Sequence, residues 1–297
     1  MSYETILVPT DGSPHADRAT RHALSLASAF DATVHALSVV DIAALAGPFD
    51  AGGVDQSFVD RYREQAEGHI EHVEQAWARP DQYHGEVRQG TPSSVILEYI
   101  EEADVDLVAM GTQGRTGLKR FVLGSVAEHV LRASPVPTLI TRVGDDEPPT
   151  LPYRNVLVPT DGSECASGAV DHALAIAGAT DATVHAINVV DTEAYKRASG
   201  SVLPSDYVDI LEHSGKEATA GVVERAEDAG LDVRAAVLEG RPSDGIVAYA
   251  ADNDIDAVVM GTHGRSGLDR FLLGSTTERV IRQSDLPVVA VPEAKSE

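Results

Sequence analysis

A chain of 297 residues, 43% of them hydrophobic, has material for two ordinary domains with buried cores and is not a disordered polymer. Its formal charge of -24, from 47 acids against 23 bases, repels polyanions and so argues against nucleic acid and anionic membrane as partners; any phosphate it binds has to be held by local geometry. No run of about 18 apolar residues occurs, and the N-terminus enters a strand-like segment without a basic region and apolar signal core, which predicts a soluble, cytoplasmic protein.

In chain order, Thr5 to Pro9 reads as a first buried strand, followed by Asp11-Gly12-Ser13-Pro14, an N-cap with proline at the first helical position. Thr33 to Val40 is a second strand, and the segment around Gly85 to Gln89 a weaker candidate. Val95, Ile96, Tyr99, Ile100 and Ala103 recur at helical spacing, as do Val126, Ala127, Val130 and Leu131. Leu107 to Met110 and Val136 to Thr141 complete the set of strands, most of them apolar without strict alternation, as in a parallel sheet covered on both faces. An acidic, proline-rich stretch from Gly144 to Pro152 then reads as a linker.

Beyond it the chain starts again at a constant offset of 150. Ile6 to Ser13 returns as Val156 to Ser163 with one change, Asp31 to Ala36 returns unaltered as Asp181 to Ala186, and Gly90, Pro92 and Ser93 recur as Gly240, Pro242 and Ser243. Solenoid repeats run about 20 to 50 residues, so this period marks a duplicated domain. The expected division is a first domain over 1–145, a linker over 146–153 and a second domain over 154–297. Each should be a doubly wound α/β domain, Rossmann-like, with a five-stranded parallel sheet in the order 3-2-1-4-5. Ligands bind such sheets where the winding reverses, which here is after Thr10 and after Met110.

The loop after the fourth strand, Gly111 to Ser125, matches Gly261 to Ser275 at 11 of 15 positions. Gly124 and Ser125 open a helix, whose N-terminal N–H groups and partial positive charge suit a phosphate. Gly111 and Gly114 mark a sharp turn or a close approach of ligand to backbone. Arg115, Lys119 and Arg120 put three cations and no acid into this segment. On the other reading, the glycines are turn residues, Ser125 is an ordinary cap and the cations are solvated. The second copy departs where Asp269 replaces Lys119, leaving Arg265 and Arg270 against one acid. If Lys119 reaches the phosphates, the first site should favour a triphosphate more than the second.

Taken together, "ILVPTDGS", "SVVD", Gly-x2-Gly-x9-Gly-Ser and "SPVPTLI" resemble the nucleotide-binding universal stress proteins, over nearly all of both copies. The resemblance implies that Asp11 and Asp161 accept hydrogen bonds from ribose hydroxyls. It implies that Pro9, Thr10, Pro159 and Thr160 line an adenine pocket and that the backbones of Val39 and Val189 read the adenine edge. Gly111, Gly114, Arg115, Gly124 and Ser125, with Gly261, Gly264, Arg265, Gly274 and Ser275, would hold ribose and phosphates. Asp11 also has another role open to it, that of complementing the helix dipole. The implied ligand is ATP, or AMP or ADP, with Mg2+ as counter-ion. The implied assembly is an intrachain pseudo-dimer joined through the fifth strands, with a homodimer and a protein partner of unknown identity as further associations.

No Walker sequence occurs and no G-x-G-x-x-G follows the first strand, which argues against P-loop hydrolysis and dinucleotide binding. The leading expectation is a stress-response or energy-sensing binding protein. A slow ATPase or phosphotransferase and a nucleotide-free interaction scaffold are the alternatives. His69 and His72 lie three apart on a helix and read as surface residues, with no expected metal site. His35 and His185 read as hydrogen-bonded structural residues, and Cys165, the single cysteine, as inert in a reducing compartment. An acid-rich chain with only four lysines also resembles proteins of salt-in halophiles.

Overall fold

The computed structural model describes residues 1–42, 56–112, 123–142, 151–193, 204–264 and 273–293. It divides into two compact units, Ser2–Asp145 and Asp146–Glu297. The first contains β1 (Thr5–Pro9), α1 (Pro14–Phe30), β2 (Thr33–Val40), α2 (Gln56–Ala76), β3 (Tyr83–Gln89), α3 (Pro92–Glu102), β4 (Leu107–Gly111), α4 (Ser125–Ala133) and β5 (Thr138–Thr141). The second repeats the order with β6 (Asn155–Pro159), α5 (Glu164–Thr180), β7 (Thr183–Asp191), α6 (Ser205–Asp228), β8 (Val233–Gly240), α7 (Pro242–Asp252), β9 (Ala257–Gly261), α8 (Ser275–Gln283) and β10 (Val288–Val291).

Within the first unit the strands run parallel in the order β3-β2-β1-β4-β5, and within the second in the order β8-β7-β6-β9-β10, the predicted 3-2-1-4-5 in each. Ile6, Leu7 and Val8, with Leu107, Val108 and Ala109 on the neighbouring strand, are fully buried. Helices cover both faces of the central strands, which is why their sequences run apolar instead of alternating. β1 and β4 are fixed at their N-terminal ends by Asp106, whose Oδ2 accepts from the N–H groups of Glu4 (2.7 Å) and Thr5 (2.9 Å). Asp256 does the same for Arg154 and Asn155 in the second unit.

The first helix of each unit starts as its sequence predicts. Ser13 Oγ accepts from the Ala16 N–H at 3.3 Å with Pro14 at the first helical position, and Ser163 Oγ accepts from Ala166 N–H at 3.2 Å. β5 begins two residues later than the apolar run Val136 to Thr141 suggests. Pro137 has no N–H to give a ladder, and Ser134 closes a turn on Val136, accepting from its N–H and donating to its carbonyl.

His35 and His185 are structural as expected: their Nδ1 atoms lie 3.0 and 3.1 Å from the hydroxyls of Tyr99 and Tyr249. His72 Nε2 stands 3.8 Å from Asp17 Oδ1, and the His69 ring fills the space beside Gly12 that a Cβ there would need. Among the described residues no three His, Cys, Asp or Glu side chains gather as a metal site, and no helix is long and apolar enough to cross a membrane. Cys165 is buried with its thiol pushed up by that burial, so little thiolate is present to react.

Candidate functional site

The chain leaves β1 through a turn that its own side chains hold. Thr10 N–H donates to the Leu37 carbonyl at 2.8 Å, extending the β1–β2 ladder by one residue. Gly12 then takes φ +71°, a left-handed conformation open to glycine at little cost. Asp11 Oδ1 accepts from the Ser13 N–H at 3.0 Å, and Thr10 Oγ1 accepts from the Gly12 N–H at 3.2 Å. Asp11 is therefore fixed at the mouth of the crevice, while Ser13 caps the helix.

Across the crevice, β4 ends at Gly111 and the Thr112 N–H reaches the Thr141 carbonyl at 2.8 Å. Gly124 returns to this point, its N–H donating to the Thr112 carbonyl at 2.6 Å, so the glycine-rich loop leaves and re-enters at one place. Gly124 is the N-cap of α4 and Ser125 its first residue, which turns the N-terminus of the helix toward the crevice.

These elements enclose a cavity of about 330 Å³. Thr10, Asp11, Thr112, Gly124 and Ser125 supply its polar rim. Pro9, Leu37, Val39, Pro92, Ile96 and Met110 supply an apolar wall, and Gly111 lies between the two. Pro9, Thr10, Asp11, Val39, Gly111, Gly124 and Ser125 are thus brought together from four separate stretches of sequence. Gly114 and Arg115 lie outside the described residues, as do Lys119 and Arg120. Pro92 and Ile96, at the start of α3, were not anticipated as site residues; the recurrence of Gly90, Pro92 and Ser93 at the 150-residue offset was the signal that could have found them.

Gly111 has a structural reason of its own. A Cβ there would stand 2.6 Å from His15 Cβ and 2.7 Å from the His15 carbonyl carbon, so its absence lets α1 pack against the end of β4. Burial, the largest influence on His15, lowers its pKa; nearby Asp11 opposes this and Arg142 adds to it.

The second unit builds the same crevice with differences. Asp161 Oδ1 accepts from the Ser163 N–H at 3.0 Å, and a Cβ on Gly264 would stand 2.8 Å from Asp161 Oδ2. The carboxylate therefore faces the loop that follows β9. Pro159, Thr160, Asp161, Val189, Gly261 and Gly264 line a cavity of about 160 Å³, together with Asn188 and His263. Gly274 and Ser275 are not in that lining, where the next residues, Thr276 and Thr277, appear instead. Thr277 Oγ1 donates to the Gly261 carbonyl at 2.8 Å, a bond that Ala127 cannot make in the first unit. Arg265 lies outside the described residues.

Comparison with known proteins gives a consistent result. The family model described as "Universal stress protein family" matches residues 2–142 and 152–292. A universal stress protein of Methanocaldococcus jannaschii is 39% identical over 145 residues, covering 49% of this chain and 85% of that protein. One from Synechocystis sp. is 26% identical over 309 residues, covering 96% of this chain and 99% of its own length. The crystal structure of a universal stress protein from Archaeoglobus fulgidus covers 100% of this chain and 98% of its own, with a TM-score of 0.69 at 24% identity. That likeness speaks for the fold.

Proposed function

The chain belongs to the universal stress protein family, and from that premise we propose that it is a stress-response or energy-sensing protein holding one adenine nucleotide, ATP, in each unit. The adenine would lie against the apolar wall of Val39, Pro92 and Ile96, with Val189, Pro242 and Ile246 in the same role in the second unit. Asp11 and Asp161 would accept from the ribose hydroxyls. Gly124 and Ser125 at the start of α4, and Gly274 and Ser275 at the start of α8, would meet the phosphates with backbone N–H groups. Gly114, Arg115 and Arg265 are proposed for the same phosphate segment on their sequence alone. The described residues offer no cluster of acids or histidines for a cation, so Mg2+ would arrive on the phosphates.

The observation that carries this reading is the convergence, twice in one chain, of a carboxylate, an apolar wall and a helix N-terminus on the crevice between the first and fourth strands. Those are the three surfaces a nucleotide needs, for its sugar, base and phosphates. The test is mass spectrometry of small molecules released from the purified, denatured protein. Adenine nucleotide approaching two per chain supports the reading, and none, with no binding on adding ATP and Mg2+, overturns it. ATP turnover abolished in Asp11→Ala and Asp161→Ala would instead favour a slow hydrolase or phosphotransferase. Pairing of β5 with β10 as an intrachain pseudo-dimer is proposed from the family resemblance; a stable, monomeric isolated unit would count against it.

A further inference from the structure

Among the differences between the two crevices is a paired exchange of a residue on the second strand and one on the helix behind it. At the sixth residue of the second strand, the first unit has Ser38, which is buried and lies outside the cavity lining. The second unit has Asn188 at the same register, opposite Val237 as Ser38 is opposite Val87, and Asn188 does line the cavity. Its Nδ2 donates to the Thr160 carbonyl at 2.7 Å, on the crevice floor beside Asp161.

Room for the longer side chain comes from the helix behind it. A Cβ on Gly215 of α6 would stand 2.9 Å from Asn188 Cγ, closer than packed atoms allow. Buried positions along α6 run Gly215, Thr219, Val222, Ala226, and along α2 and the residue just past its end they run Ala66, Ile70, Val73, Trp77 with the same spacing. Gly215 thus stands where the first unit has Ala66. Between the two copies, one residue has grown from Ser to Asn while its packing partner has shrunk from Ala to Gly. The compensated exchange delivers a carboxamide to the second crevice and keeps the strand register.

We propose that Asn188, seated by Gly215, is a specificity-determining residue that makes the second site the weaker of the two for an adenine nucleotide. It takes up space in the second crevice, whose volume is about 160 Å³ against about 330 Å³ in the first unit, as do Thr276 and Thr277 in place of Val126 and Ala127. It also donates to the Thr160 carbonyl, an acceptor in the adenine pocket that the family resemblance implies. This inference rests on the nucleotide reading of both crevices.

The experiment is calorimetric titration of the full chain with ATP and Mg2+. Asp11→Ala weakens the first site and Asp161→Ala the second, which assigns each measured constant to its unit. The second site should bind about tenfold or more weakly, the worth of one displaced hydrogen bond. Asn188→Ser with Gly215→Ala, added to Asp11→Ala, should recover most of that factor. The reciprocal Ser38→Asn with Ala66→Gly, added to Asp161→Ala, should weaken the first site about tenfold, which keeps the test open if one exchange impairs folding. Two equal sites, or exchanges that leave affinity unmoved, overturn the role of Asn188 alone. No ATP at either site of the wild-type chain overturns the nucleotide reading and this inference with it.

Discussion

Asp11 can serve the ribose, the turn that follows it, or both, and Asp11→Asn separates the two. The turn uses one oxygen, Oδ1, which accepts from the Ser13 N–H at 3.0 Å. Asparagine keeps such an oxygen, so the turn survives and only the charge near the helix N-terminus is lost, about 0.3–1 kcal/mol. Asp11→Ala loses the hydrogen bond as well, worth about 1 kcal/mol, so its total is about 1–2 kcal/mol. Binding should rank differently. Hydrogen bonds to a charged acceptor contribute about 1.5–3 kcal/mol, so Asp11→Asn should weaken ATP at the first site by about 10- to 100-fold even though the fold is barely disturbed. Urea denaturation gives the first quantity and calorimetric titration in an Asp161→Ala background the second. If Asp11→Asn binds ATP as tightly as the parent while Asp11→Ala does not, the carboxylate is a turn residue and the ribose role is wrong.

Three further outcomes are expected, two from the geometry and one from the sequence. Gly111→Ala should destabilise the first unit by about 1–3 kcal/mol, because the new Cβ meets the backbone of His15 at 2.7 and 2.8 Å. Gly261→Ala should cost less in thermal melts, because its nearest obstacle is the movable Cys165 Sγ at 2.7 Å; equal losses would refute the distinction. His22 is fully buried, and burial, reinforced by Arg18 and Arg21, lowers its pKa to about 3. Below the unfolded value of about 6.5 the unfolded chain takes a proton that the folded chain refuses. The stability this neutral histidine contributes is therefore complete above that pH and is lost as pH falls toward about 3. Replacing it by glutamine should flatten the fall in stability between about pH 6.5 and 5 by up to about 1.4 kcal/mol per pH unit, and an unchanged slope in denaturant titrations would count against it. Lys119→Asp should reduce the preference of the first site for ATP over AMP and Asp269→Lys should raise that of the second; identical ratios in all forms would dismiss any phosphate contact from this position.

The strands were legible because burial on both faces leaves an unmistakable trace, as in Ile6 to Val8 and Leu107 to Ala109. The crevice was legible because glycine and proline punctuate both of its rims and because the chain writes them twice. β3 was weak for the opposite reason: at the sheet edge Tyr83 to Gln89 are half-buried or exposed, and no apolar run marks them. Pro92 and Ile96 escaped notice since a helix start that lines a ligand wall and one that only packs carry the same residues. His22, buried in α1, was also invisible, because a single histidine on a helix carries no sign of its depth.

What duplication has kept and what it has let go then separates the site from its support. The crevice rims keep Pro-Thr-Asp-Gly-Ser and the paired glycines in both units, whereas the face of α2 against β3 has changed in volume. In the first unit Ile70 and Trp77 fill that face, and Tyr83 donates its hydroxyl proton to the Ile70 carbonyl at 2.7 Å. In the second, Thr219, Ala226 and Val233 stand in their places, and an open groove of about 590 Å³ runs between α6 and β8. Part of that retention is structural: Gly12 sits at φ +71° and Gly111 packs against His15, where a Cβ would bring strain. Retention at the rims beside loss of bulk behind them also fits the ligand proposed for the crevice. The exchange of Ser38 and Ala66 for Asn188 and Gly215 lies where these two regimes meet, behind the wall yet reaching through it, and is where a difference in ligand affinity between the units can arise without disturbing either rim.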